Sequence, residues 1–205
     1  MDLKRYLPLV AASSLLASAV LLLSGKKKLK RALVVGDSHS EASWTLGGRI
    51  KTALAAAGFV SKVEGNRGKG VVWYVESGKL SAALRAFKPD LLVVAIGGND
   101  AGTPEAEYKA KLTEFVRLAR AAGVWEIVWF GPPKADGPRI TAQTGRMLIA
   151  VYQSEVLPGL GVEWHDSMDL AADLPTADGV HYASREYATW ASRAVPLILD
   201  DVVSA

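Results

Sequence analysis

The chain has 205 residues, half of them hydrophobic, which is enough for one well-packed domain, and no Pro/Gly/Ser-rich linker or internal repeat divides it. Its net charge of +3 is not a nucleic-acid footprint: seven of the 24 basic residues stand before Ala32 against the single acid Asp2, leaving 17 basic and 20 acidic residues in the rest. With no cysteine, disulfides, a thiolate nucleophile, a zinc-thiolate site and a lipid-modified cysteine anchor are all excluded.

Leu7 to Ser24 is 18 residues without a charge, flanked by Lys4-Arg5 and by KKKLKR at 26–31. As a helix it would rise about 27 Å, just enough to cross a hydrocarbon core of roughly 30 Å. We therefore expect residues 1–30 to be a hydrophobic membrane helix with a basic flank, and residues 31–205 to be the folded domain. A cleaved signal peptide ending near Ala17 and Ala19 is the alternative, with secretion as its consequence. The apolar run continues through Val20 to Leu23, and a basic cluster straight after it opposes export. The heavier positive flank lies on the domain side, which by the positive-inside tendency puts the domain in the cytoplasm.

The apolar run Ala32 to Val35 stops abruptly at Gly36-Asp37-Ser38, and apolar positions near helical spacing follow from Ala42 to Ala57. This pattern predicts a buried strand, a sharp turn and a helix, closed by Gly58. Phe59 to Val63 reads as a second strand, followed by EGNRGKG at 64–70, three glycines in seven residues. A helix is predicted around Ser77 to Phe87, a strand at Leu91 to Ile96 ending in Gly97-Gly98-Asn99-Asp100, and a helix from Pro104 to about Ala122. Trp125 to Phe130 is the fourth strand, broken by Gly131-Pro132-Pro133. A loop over 131–138, a helix from about Thr141 to Val156, a fifth strand at Val162 to His165 and an acidic irregular stretch follow. The chain ends on Asp178-Gly179-Val180-His181 and a helix from Ser184, its expected N-cap, to about Leu199. Strands alternating with helices predict an α/β parallel sheet covered on both faces, which binds ligands at the carboxyl ends of its strands. The unusual residues fall at those ends.

A serine beside a helix N-terminus either caps it or is placed to act as a nucleophile. To act, Ser38 needs a base and the base needs an orienting partner. Of the three histidines, His39 adjoins the serine and should point away from it, and His165 reads as a plain hydrogen-bonded residue. His181 has Asp178 three residues earlier, a spacing that on a tight turn brings the carboxylate to Nδ1. Donors for an oxyanion are the N–H of Ser38, a glycine N–H from 68–70 and the Asn99 amide. Asp37 and Asp100 are read as turn-bracing residues.

GDSHS at 36–40, the glycine loop at 66–70, GGND at 97–100 and DGVH at 178–181 resemble, in order and spacing, the four blocks of the SGNH/GDSL hydrolases. The resemblance runs from Arg31 to the C-terminus. It implies a three-layer flavodoxin-like fold with a five-stranded sheet of order 2-1-3-4-5, preceded here by the hydrophobic helix. It also implies Ser38 as nucleophile, His181 as base, Asp178 as its orienter, and Ser38, a glycine and Asn99 as the oxyanion hole, with no cofactor and no metal. The glycine block departs from the family pattern at Asn66-Arg67-Gly68-Lys69-Gly70, so that either Gly68 or Gly70 could donate. The expected activity is carboxylic ester hydrolysis. With Arg67, Lys69, Trp73, Tyr74 and loop 131–139 as the rim, O-acetyl groups on envelope saccharides are the first choice of substrate. Lipase, lysophospholipase or thioesterase action, or a silent membrane-anchored binding module, are the alternatives. A nucleotide-binding protein is disfavoured, since neither G-x-G-x-x-G nor a Walker A stretch is present.

Overall fold

Buried backbone must pair, and the apolar runs of this chain pair with one another. A computed structural model describes residues 31–136 and 140–204. Strands β1 (Arg31–Gly36), β2 (Val60–Gly65), β3 (Leu91–Ala95), β4 (Glu126–Phe130) and β5 (Glu163–His165) form one sheet in the order β2-β1-β3-β4-β5. All four pairings are parallel, as predicted. In register, Gly36 lies beside Gly65 on one side and Ala95 on the other, so the three central strands end together.

Side chains alternate between the two faces of a strand, and the burial follows that period. Leu33, Val35, Leu92, Val94, Ile127 and Trp129 face a core completed by α2 (Val71–Glu76), α3 (Lys79–Phe87), α4 (Glu105–Ala121) and α5 (Ile140–Val156). Ala32, Val34, Leu91, Val93, Val128 and Phe130 face a second core under α1 (Leu46–Ala56) and α7 (Ser184–Ser204). A short helix, α6 (Ser167–Leu170), leads toward the loop before α7. The expected helix at 7–24 lies outside the described residues. Among the described residues no helix is long and apolar enough to cross a membrane.

Three element boundaries differ from the sequence expectation for local reasons. The helix expected from Ala42 starts at Leu46, because residues 38–40 first make a 3₁₀ turn and the Thr45 hydroxyl donates to the Ala42 carbonyl at 2.6 Å. Trp44 is therefore outside the helix and half exposed, not part of its buried stripe. The helix expected over 77–87 is two helices, starting earlier at Val71 and broken at Gly78, whose φ of +68° suits glycine. Ser184 is the first residue of α7 and not its cap, since the Tyr187 N–H already donates to Ala183.

The turn after β1 is packed around Ser40, which is fully buried. A Cβ on Gly36 would stand 2.1 Å from the Ser40 Oγ, one on Gly47 2.5 Å from its Cβ, and one on Gly65 2.6 Å from its carbonyl oxygen. Three glycines from β1, α1 and β2 thus leave the space that Ser40 fills. Gly36→Ala is expected to destabilise the fold by about 1–3 kcal/mol through overpacking, with part of the loss recovered in a Ser40→Gly background. Urea denaturation of the two single variants and the double variant checks this coupling.

Candidate active site

At the carboxyl end of β1 the chain turns at once. The Asp37 side chain accepts the His39 N–H at 2.9 Å, and the Ser40 N–H donates to the Asp37 carbonyl at 3.0 Å. This turn holds Ser38 at the sheet edge. From the other side comes the loop before α7, closed by an antiparallel bridge between Thr176 and Tyr182. Gly179, at φ +86°, lies against residue 136, where an added Cβ would sit 2.6 Å from the carbonyl oxygen. Within this loop Asp178 Oδ1 accepts the N–H groups of Val180 (3.0 Å) and His181 (2.6 Å).

The loop brings three predicted residues into one line. Asp178 Oδ2 is 2.8 Å from His181 Nδ1, and His181 Nε2 is 2.9 Å from Ser38 Oγ. The His181 N–H and ring, together with the Val180 N–H, hold the Asp178 carboxyl well below the usual carboxylate range. An ionised Asp178 can only accept, so Nδ1 carries the proton and donates. That leaves the Nε2 lone pair facing the serine hydroxyl. The arrangement can take a proton from Ser38 and return it to a leaving group.

Asn99 arrives from the loop after β3. Its Nδ2 donates to Asp37 Oδ2 at 3.0 Å and to the Lys69 carbonyl at 3.3 Å. Asp100, next in the chain, accepts the N–H groups of Val71 (2.7 Å) and Val72 (3.3 Å) and so caps α2. Gly70 touches this carboxylate so closely that a Cβ would lie 2.2 Å from Oδ1. Both aspartates brace turns, as the sequence implied. Asp37 is buried, and loss of solvent pushes its carboxyl up to about 6 despite the His39 N–H and the nearby charge of Arg146. Burial also pushes His39 down to about 3, so its ring is neutral. It shares a 2.7 Å hydrogen bond with the Tyr187 hydroxyl and sits among the rings of His181, Tyr182, Tyr187 and Trp190. As expected, it points away from Ser38's partner role.

Ser38 and His181 open into a cleft of about 730 Å³, walled by Ala42, Trp44, Tyr182, Ala183 and Tyr187, with Arg67 at its lip in a 2.9 Å ion pair with Glu41. Of the predicted rim, Arg67 is in place. Lys69 and Trp73 pair with each other, the ammonium 5.3 Å from the ring centre, outside the cleft lining. Tyr74 is not a rim residue. It is fully buried, and its hydroxyl joins the Gly36 carbonyl (2.7 Å), the Glu64 carbonyl (2.8 Å) and the Asn66 amide (2.8 Å). The helical pitch of α2 turns Val71 and Tyr74 onto the sheet, which is why. The aromatic wall of the cleft comes instead from Trp44, Tyr182 and Tyr187. Trp44 was hidden in the sequence by its place in an apparent helical stripe.

A parallel sheet of order 2-1-3-4-5 whose Gly-Asp-Ser, Gly-Gly-Asn-Asp and Asp-Gly-Val-His loops converge at one edge defines the SGNH class of α/β hydrolases. The model of the GDSL-like lipase/acylhydrolase family matches residues 34–188, and the chain belongs to that family. Among solved structures, a carbohydrate acetylesterase family member from Sinorhizobium meliloti superposes with a TM-score of 0.69 at 16% identity, covering 84% of this chain and 99% of that one. TesA gives 0.69 at 22% identity, with the same coverage. A catalytic mutant of Axe2, an acetylxylan esterase from Geobacillus stearothermophilus, gives 0.66 at 16% identity, covering 82% and 94%. These likenesses are of fold. No curated protein matches the chain.

The buried Asp37 carboxyl has a consequence for stability. An unfolded aspartate releases its proton near 4, whereas the folded one holds it to about 6. Between these values the folded state carries the extra proton, so this group's contribution to stability falls as pH rises from 4 to 6. Asp37→Asn, which does not titrate, should lack this fall, so the stability difference between variant and parent should move in the variant's favour by up to about 3 kcal/mol from pH 4 to pH 7. Chemical denaturation of both proteins at pH 4, 5, 6 and 7 measures the gap.

Proposed function

We propose that the protein is a serine esterase that hydrolyses carboxylic esters through an acyl-Ser38 intermediate. The observation that carries the reading is the continuous line Asp178, His181, Ser38, with separations of 2.8 and 2.9 Å. His181 Nε2 takes the Ser38 proton as Oγ attacks the ester carbonyl. The tetrahedral oxyanion is met by the Ser38 N–H, the Asn99 amide and a glycine N–H. That glycine belongs to the 68–70 segment, whose Lys69 carbonyl accepts from Asn99. The imidazolium protonates the departing alcohol. Water, deprotonated in turn by His181, then releases the acid and restores Ser38.

For the substrate we favour O-acetyl groups on saccharides. An exposed indole at Trp44, 5.7 Å and edge-on from Tyr187, gives a flat wall for a sugar ring beside the serine, and the lip bears the polar pair Arg67 and Glu41. Solved neighbours titled as carbohydrate acetylesterase and acetylxylan esterase support the same choice. The apolar character of Ala42, Ala177 and Ala183 favours the second reading, a longer acyl chain laid along the same wall. The 7–24 segment would tether the enzyme to a membrane, near envelope glycans.

Hydrolysis of p-nitrophenyl esters of two, four, eight and twelve carbons by the full chain, with and without a serine-directed organophosphonate, tests the proposal. Inhibitor-sensitive turnover with an optimum at two carbons is expected, and an optimum at eight or more favours the lipid reading. Ser38→Ala should abolish turnover without changing circular dichroism, and retained activity would remove Ser38 as nucleophile. Trp44→Ala should raise KM for an acetylated oligosaccharide several-fold while leaving kcat on p-nitrophenyl acetate within about twofold. No turnover by the folded chain on any ester would put a silent binding module in first place.

A further inference from the structure

As an oxyanion donor Asn99 must release a hydrogen to the substrate, yet its amide nitrogen already has two acceptors. One is Asp37 Oδ2 at 3.0 Å and the other the Lys69 carbonyl at 3.3 Å. A carboxylate and a carbonyl can only accept from an amide, so the two partners fix the nitrogen, not the oxygen, on this side. The two bonds are unequal. The first is made to a buried carboxylate, and charge-assisted bonds are roughly twice as strong as neutral ones. The second is long, neutral and at a position exposed to solvent.

We propose that Asp37 is a positioning residue for the reaction: its carboxylate locks one Asn99 N–H, and this leaves the other, loosely held by the Lys69 carbonyl, to pass to the oxyanion as charge develops. The proposal rests on the esterase reading. Asp37 is built for such a link. One oxygen accepts the N–H of His39, which fixes the turn that carries Ser38, and the other accepts from Asn99. A single rigid carboxyl therefore sets the distance between the nucleophile and a side-chain donor that lies 61 positions further along the chain than Ser38. Asp100 gives the contrast. It is also buried, but its hydrogen bonds end on the backbone of Val71 and Val72, at the start of α2, and none of them reaches Asn99 or the Ser38 turn.

A double-mutant cycle in kcat for p-nitrophenyl acetate, using the full chain, tests the link. Asp37→Asn keeps an oxygen for the His39 N–H but turns an NH₂ toward the Asn99 NH₂, donor against donor. Asn99→Ala is expected to lower kcat by about 10²–10³ with little change in KM. Asp37→Asn alone should lower it roughly 10- to 100-fold, again with little change in KM, as loss of orientation does. In the Asn99→Ala background Asp37→Asn should cost less than about threefold, because the residue it positions is gone. Equal factors in both backgrounds, or unchanged kcat in Asp37→Asn, overturn the proposal while leaving the esterase reading intact. Unchanged kcat in Asn99→Ala overturns both the oxyanion role of Asn99 and the positioning role built on it. Should circular dichroism show Asp37→Asn unfolded, Asp37→Ser replaces it in the same cycle, since serine also caps the turn but is too short to reach Asn99.

Discussion

One buried carboxyl, that of Asp37, ties the turn after β1 to the loop after β3. A charge taken out of water is costly unless hydrogen bonds replace its hydration. Here the His39 N–H, the Asn99 amide and the nearby Arg146 do so in part, and the upward displacement of its titration records the remainder. The strand ends themselves come level through the β1–β2 and β1–β3 register, but the register aligns only backbone. Asp37 carries the alignment into side chains that could meet a substrate.

The three acids of the site loops show how environment divides one chemical group among different tasks. Asp178 is exposed, receives two backbone N–H groups and the His181 ring, and stays ionised well below neutral pH. Asp37 and Asp100 are buried and both displaced to about 6. The two histidines divide in the same way. His39 is kept neutral by burial and belongs to an aromatic cluster, whereas His181 is partly solvated and faces the serine. His39 adjoins Ser38 in the chain, yet it is the ring of His181 that reaches the Ser38 hydroxyl.

Most of the sheet was legible because its central strands are continuous apolar runs bounded by glycine or proline, and such runs have few other uses in a chain of this size. The convergence of Ser38, Asp178 and His181 was legible from motif order and from the tight-turn spacing of Asp178 and His181. The cleft wall was not. Trp44 fits a helical stripe as well as it fits a loop, and nothing local reveals that Gly47 and Gly48 let the helix start late, against Ser40 and Ala42. Tyr74 was misplaced for the opposite reason: a tyrosine after a glycine-rich loop looks like a surface aromatic until α2 is seen to roll it under the sheet. The pairing of Asn99 with Asp37 depends on side-chain reach across two strands, which no spacing rule encodes.

The direction of β1 puts Arg31 and the candidate nucleophile at opposite ends of one strand. Arg31 begins the strand, its N–H on Asp90, its guanidinium bonded to the Phe87 carbonyl and lying 4.4 Å over that ring, while Ser38 follows the other end. Six strand residues separate the two by about 20 Å. Only Gly25 to Lys30 lie between Arg31 and the apolar segment 7–24. The entry of the sheet and the loop that carries the candidate nucleophile thus stand at opposite edges of the domain, separated by the full length of its central strand.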